Sequence, residues 1–191
     1  MSVVVNVLTS ASSIVAYDGR AINKETNAIK SEHTKKAQSI NKYTIIGYIG
    51  LLEEANHLVS LLKSDADINE LRCDQVVSRV LAHYRQSGLS SANTSYLLTG
   101  LNTDGRLGTY TINKQFNVDA HVPINKEIKL TSLFSDNNTI DFTTFFSRYY
   151  MRAKPCDIMK QYINAVAEID KSVNKNVRFI TLHFSDFGLR L

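Results

Sequence analysis

The chain is 191 residues long, 43% hydrophobic and 21% charged, with a formal net charge of +4. This is ordinary globular composition, and the length reads as one domain over residues 1–191 with room for a sizeable core. The positive balance does not call for a nucleic-acid partner, because lysines and arginines are scattered among acids and no aromatic–basic motif groups them.

Residues 3–9 and 13–17 are rich in strand formers and are split by polar Ser10-Ala11-Ser12, which predicts a hairpin. Residues 43–49 predict another strand, whose loose alternation suits burial on both faces. Leu51, Ala55, Leu58 and Leu62 recur at helical spacing and predict a helix over 51–62. A second helix is predicted over 74–86, with Val76, Val77, Val80 and Leu81 inward and Gly88 near its stop. Strands follow at 95–101 and 108–112, joined through Asn102-Thr103-Asp104-Gly105, whose Asp-Gly pair signals a hairpin. A strand near 127–133, helices at 141–152 and 155–170, and a strand at 177–184 come next. The chain closes through a turn at Phe187-Gly188 into Leu189-Arg190-Leu191. Strands, two helices, strands, two helices, strands is an α+β order. It suits two stacked antiparallel sheets with helices on both outer faces.

Ser2 stands directly behind Met1. Cytosolic aminopeptidase removes methionine before a small residue, which would leave Ser2 with a hydroxyl and a free α-amine. That amine has a pKa of about 7.7–8.0, so part of it is an unprotonated base near neutral pH. Nucleophile and general base then sit on one residue, and no histidine is needed. Asp18-Gly19-Arg20-Ala21, then Lys36, then a strand ending in Gly50 follow in order. Each has a plainer reading as well. Asp18 fits an Asp-Gly turn, Arg20 a surface arginine, Lys36 a solvated lysine beside Lys35, and Gly50 a strand-to-helix junction.

The order of these residues resembles the proteasome β-subunit and bacterial HslV branch of the N-terminal-nucleophile (Ntn) hydrolases, a threonine-type peptidase family. In that branch the mature chain begins with the nucleophile, usually threonine, and a hairpin ends in Asp-x-(Arg/Gln)-Ala. A lysine follows shortly before an isoleucine or valine, and a strand then ends in a glycine whose N–H helps form the oxyanion hole. Here the matching positions are Ser2, Asp18-Gly19-Arg20-Ala21, Lys36 with Ile40, and Gly50. Spacing matches from Ser2 to Arg20 and from Lys36 to Gly50, with a small insertion around residues 24–31. The resemblance is carried by residues 2–64 and weakens beyond.

The resemblance implies a four-layer αββα sandwich and a cytoplasmic, proteasome-like hydrolase of peptide or amide bonds that uses no metal and no cofactor. Ser2 would be the nucleophile. Lys36, held by Asp18, would keep positive charge near its hydroxyl, and the Gly50 N–H would receive the oxyanion. Arg20 and Asp170 would support the site. Tyr48 would lie at the base of the substrate pocket and Ala21 near its mouth. A homo-oligomer, stacked as rings with the first two helices between layers, is implied too, and with it an unfolding partner that nothing in the sequence identifies.

Two segments depart from the family pattern. Leu130-Thr131-Ser132-Leu133 stands where the family carries Gly-Ser-Gly, and Asp170-Lys171-Ser172-Val173 puts Val173 where a serine belongs. These departures leave a second reading, a non-catalytic proteasome-like subunit acting in assembly or binding.

Other chemistry is weaker. His33, His57, His83, His121 and His183 form no H-x-x-x-H pair and have no companion cysteines, so no metal site is expected. There is no phosphate-cradling glycine loop. Cys73 and Cys156 lie far apart and read as reduced thiols of a cytoplasmic protein. No run approaches the roughly 18 apolar residues of a membrane span, and no signal-peptide pattern opens the chain.

Overall fold

The computed structural model describes residues 2–23, 26, 28–88, 91–134 and 139–188. In chain order the elements are β1 (Val3–Leu8), β2 (Ser12–Tyr17), β3 (Ala21–Ile22), β4 (Ile29–Ser31), β5 (Ala37–Asn41) and β6 (Thr44–Ile49). Helices α1 (Leu52–Ser64) and α2 (Cys73–Gln86) follow, then β7 (Ser95–Leu101), β8 (Leu107–Ile112), β9 (Val118–His121) and β10 (Lys129–Phe134). The chain continues with α3 (Phe142–Tyr149), α4 (Pro155–Ile169), β11 (Arg178–His183) and a 3-10 turn at Phe184–Phe187.

Alternation along the strands sets the layers. β1 turns Val3, Val5 and Val7 to one side and Val4 to the other, and every residue of the strand is buried. Such two-faced burial is why the strand reads as a continuous apolar run. β1 and β2 form the predicted antiparallel hairpin, with Val5 opposite Ala16. They are the middle of a four-stranded sheet in the order β10-β1-β2-β11. A five-stranded sheet runs β5-β6-β7-β8-β9, and β3 and β4 pair as a separate two-stranded ribbon.

Three apolar layers hold the stack. Between the sheets lie Val4, Val15, Tyr17, Ile45, Ile49 and Leu97. Outside the five-stranded sheet, Ile46, Tyr96 and Leu98 meet Ala55, Leu62 and Val80 of α1 and α2. Outside the four-stranded sheet, Val3, Val5 and Ala16 meet Phe142, Ile158 and Tyr162 of α3 and α4. Each such side chain contributes roughly 1.5–3 kcal/mol on full burial, so the layers rather than any one residue stabilise the fold. The result is the α+β, four-layer αββα sandwich.

Where sequence and structure differ, the reason is local. The first helix runs 52–64 rather than 51–62, and its face of Ala55, Leu58 and Leu62 is buried as expected, with Val59 added. The third helix stops at Tyr149, earlier than residue 152, and passes into a turn. The short ribbon strands β3 and β4 had no predicted counterpart, and neither did β5 and β9. β5 and β9 are edge strands with exposed or polar positions, so neither carries an apolar run. The Asp104-Gly105 turn forms as expected, with Gly105 at φ +79° and its N–H donating to Asn102 O. Leu189-Arg190-Leu191 lies outside the described residues. Among the described residues no helix is long and apolar enough to cross a membrane.

Candidate active site

Ser2, Asp18, Lys36 and Gly50 each sit at the end of a strand, and the two hairpins β1–β2 and β5–β6 bring those ends together. Ser2 precedes β1 and Asp18 follows β2. Lys36 precedes β5 and Gly50 follows β6. Stacking the sheets then places both pairs at one rim. Ser2, Arg20, Ala21, Lys36, Tyr48 and Gly50 line one cleft of about 110 Å³, with Ile22, Lys30, Thr34, Leu51, Leu52 and Glu53 completing its wall.

Beneath the cleft, Asp18 is fully buried and Lys36 nearly so. Lys36 Nζ donates to Asp18 Oδ1 and Oδ2, both at 2.8 Å. The same carboxylate accepts from Val3 N at 2.9 Å on Oδ1 and from Arg20 N at 2.9 Å on Oδ2. One side chain therefore fixes the cation, the backbone just after Ser2 and the turn just before β3. Burial pushes the Lys36 ammonium below the usual lysine value of 10.5, against Asp18, which raises it. Lys35, its neighbour in the sequence, is exposed.

Arg20 is partly buried on the cleft wall. Its guanidinium pairs with Glu32 at 3.0 Å and donates to Lys171 O. Asn174 reinforces this corner. Its Oδ1 accepts from Gly19 N at 3.0 Å, and its Nδ2 donates to Glu32 O at 3.0 Å and to the Glu32 carboxylate. Asn174, then Arg20, hold Glu32 below its ordinary value of 4.5. Sequence reading missed Asn174, because no pattern links it to a glycine 155 residues away.

Asp170 is buried, and its charge acts on Lys36 without lining the cleft. Ser172 donates N–H and Oγ–H to Asp170 Oδ1, at 2.8 and 2.5 Å. Val173 instead packs into the apolar layer beneath α3 and α4. On β10, Ser132 stands opposite Val5 and Phe134 opposite Val3, so Ser132 is held several residues along the sheet from Ser2.

Gly50 combines a positive φ with a close backbone approach, so a side chain there is excluded twice over. Its φ is +122°, and a Cβ would meet Asn93 O at 2.3 Å and Thr94 Cα at 2.7 Å. α1 begins directly after it with Leu51 as N-cap, whose own side chain makes no capping bond. The first turn of the helix and the positive end of its dipole lie beside the cleft. Tyr48 forms part of the cleft wall with its hydroxyl donating to Lys35 O at 2.5 Å, and burial pushes its pKa up to about 12. It stays neutral.

No family model matches the chain, and no curated protein matches it in sequence. Among solved structures it is similar to eukaryotic HslV from Trypanosoma brucei. The TM-score is 0.64 at 16% identity, over 95% of this chain and 99% of that one. Identity this low speaks to architecture alone, and the architecture is plain: the chain has an HslV-like fold.

Proposed function

We propose that the chain is a proteasome/HslV-like N-terminal-nucleophile hydrolase that cleaves peptide or amide bonds through Ser2 once Met1 is removed. The observation that carries this reading is the buried Lys36–Asp18 pair on the rim shared by Ser2 and Gly50. Ser2 Oγ attacks the carbonyl carbon, and the Ser2 α-amine takes its proton. Charge developing on the carbonyl oxygen is received by the Gly50 N–H and the α1 N-terminus. The α-amine returns the proton to the leaving nitrogen as the C–N bond breaks, leaving an ester on Ser2. Water, deprotonated by the same amine, hydrolyses that ester. Lys36 favours the ionised hydroxyl electrostatically, while Asp18 keeps the ammonium charged and aimed. Arg20 and Asp170 support the corner. No metal or cofactor takes part.

The test compares wild type with Ser2→Ala, both fully processed, using a hydroxyl-directed acylating probe. Wild type takes up one probe at Ser2 and the variant takes up none; equal labelling of both defeats the reading.

In the same proposal the protein is cytoplasmic, consistent with free Cys73 and Cys156, and forms a homo-oligomeric ring. An unfolding partner would feed such a chamber. A second reading, a non-catalytic assembly or binding subunit, is favoured by one observation. Val173, where the family pattern has a serine, gives only an apolar side chain to the core. That reading predicts a ring that assembles and never labels.

A further inference from the structure

The turn that carries Gly50 is braced from behind, away from the cleft. Thr94 is fully buried just before β7. Its hydroxyl accepts from Leu51 N and donates to Leu51 O, each at 3.2 Å. One side chain thus engages both backbone groups of the residue that follows Gly50. Asn93 O and Thr94 Cα occupy the space where a Gly50 Cβ would go, so the Gly50 backbone is pressed against this segment.

The brace is itself held. Glu54, on the first turn of α1, accepts from Asn93 N at 2.9 Å through Oε2 and from the Tyr84 hydroxyl at 2.9 Å through Oε1. Tyr84 on α2 lies 2.6 Å, hydroxyl to hydroxyl, from Tyr96 on β7. Two helices and the central strand of the five-stranded sheet therefore converge on residues 93–94. A peptide at φ +122° has many nearby alternatives, because glycine is unrestrained by a side chain. Something outside the residue must choose among them.

We propose that Thr94, anchored through Asn93 by Glu54, is a positioning residue that sets the direction of the Gly50 N–H into the cleft. Its catalytic consequence rests on the hydrolase reading above. Its structural content does not.

The experiment uses the full, processed chain as wild type, Thr94→Val and Thr94→Ser. Hydrogen exchange over peptides spanning residues 49–56 reads the turn directly. Thr94→Val exchanges about tenfold faster there, Thr94→Ser stays near wild type, and peptides from α3 and α4 do not change. Acylation by a β-lactone passes through an oxyanion and reads the aim. At saturation the rate falls about tenfold in Thr94→Val and recovers in Thr94→Ser, while the half-saturating concentration stays within about twofold. Unchanged exchange in Thr94→Val overturns the inference, and so does undiminished acylation of that variant. A wild type that never labels removes the hydrolase reading, and the exchange comparison still decides the brace.

Discussion

Asp18 accepts four hydrogen bonds from three groups at the candidate site. It meets the Lys36 ammonium and the N–H groups of Val3 and Arg20 with no exposure to solvent. Asp18→Ala leaves the ammonium buried and unpaired, which costs about 3–5 kcal/mol. Urea unfolding reads this as a lower midpoint at unchanged slope. Lys36 adds a pH dependence. Burial sets its folded pKa below 10.5, so between those two values the unfolded chain holds more of this proton than the folded chain. Folding stability from this group therefore rises as pH rises through the window below 10.5. Unfolding midpoints at steps towards that value check the sign, with Lys36→Met as the reference that lacks the slope. Ser2, Asp18, Lys36 and Gly50 were singled out by the order and spacing that resemble the proteasome and HslV branch, and the fold brings Ser2, Lys36 and Gly50 to one cleft with Asp18 bonded to Lys36 beneath it. Asn174, Thr94 and Glu54 were not, since their partners are set by tertiary packing and leave no spacing to read.

At the scale of elements, the segment after α4 clamps the β2–β3 turn through Asn174. Asn174→Ala removes the acceptor for Gly19 N and both donations to Glu32, a loss of about 1–3 kcal/mol. The Glu32 carboxylate gives this clamp an acid limit. Its folded pKa is depressed, so its contribution is full above the ordinary 4.5 and fades as pH falls through the folded value. Exchange protection over peptides spanning residues 17–22, corrected for the intrinsic pH dependence of exchange, should fall in wild type only as pH drops below 4.5, and be low at all pH values in Asn174→Ala. Which elements could be foreseen follows from burial. β1, β6 and β7 are buried almost throughout and show long apolar runs. β9 is exposed at three of its four positions, and Val118-Asp119-Ala120-His121 reads as loop until β8 offers its edge. The second departure at Asp170 was legible as a missing serine at 173. That Ser172 turns to Asp170 instead follows from the backbone of that turn, which composition does not encode.

Across the whole molecule, the candidate site is split between the sheets. Ser2 and Asp18 belong to the four-stranded sheet and Lys36 and Gly50 to the five-stranded one, so its geometry is only as good as the stacking. A buried polar cluster in the apolar interface fixes that stacking. Ser13 Oγ and Thr99 Oγ1 lie 2.7 Å apart across the sheets, and Thr109 Oγ1 donates to Asn6 Oδ1 at 2.7 Å. Thr99 Oγ1 also reaches Thr109 Oγ1 at 2.7 Å and Gly108 O at 3.0 Å. All four side chains are fully buried. Removing the shared hydroxyl by Thr99→Val leaves buried partners short of hydrogen bonds and costs about 1–3 kcal/mol, which thermal and urea unfolding both measure. The sandwich itself was readable from the order of strands and helix pairs, since each element had one apolar side to bury. The polar cluster was not, because its members come from strands of two different sheets and no spacing in the sequence links them. The resemblance implied a homo-oligomeric ring, and nothing in the sequence bears on its size or symmetry. Light scattering near 21.5 kDa at micromolar concentration would argue for the monomer and against the proposed assembly.

The most direct test compares the chain beginning at Ser2 with the chain that retains Met1, following β-lactone acylation by peptide mass spectrometry across neutral pH. The account predicts an adduct on Ser2 only when its amine is free, with a rate that declines as pH drops below about 7.7–8.0. Equal acylation of the Met1-bearing chain, or a rate indifferent to pH through that range, would contradict it.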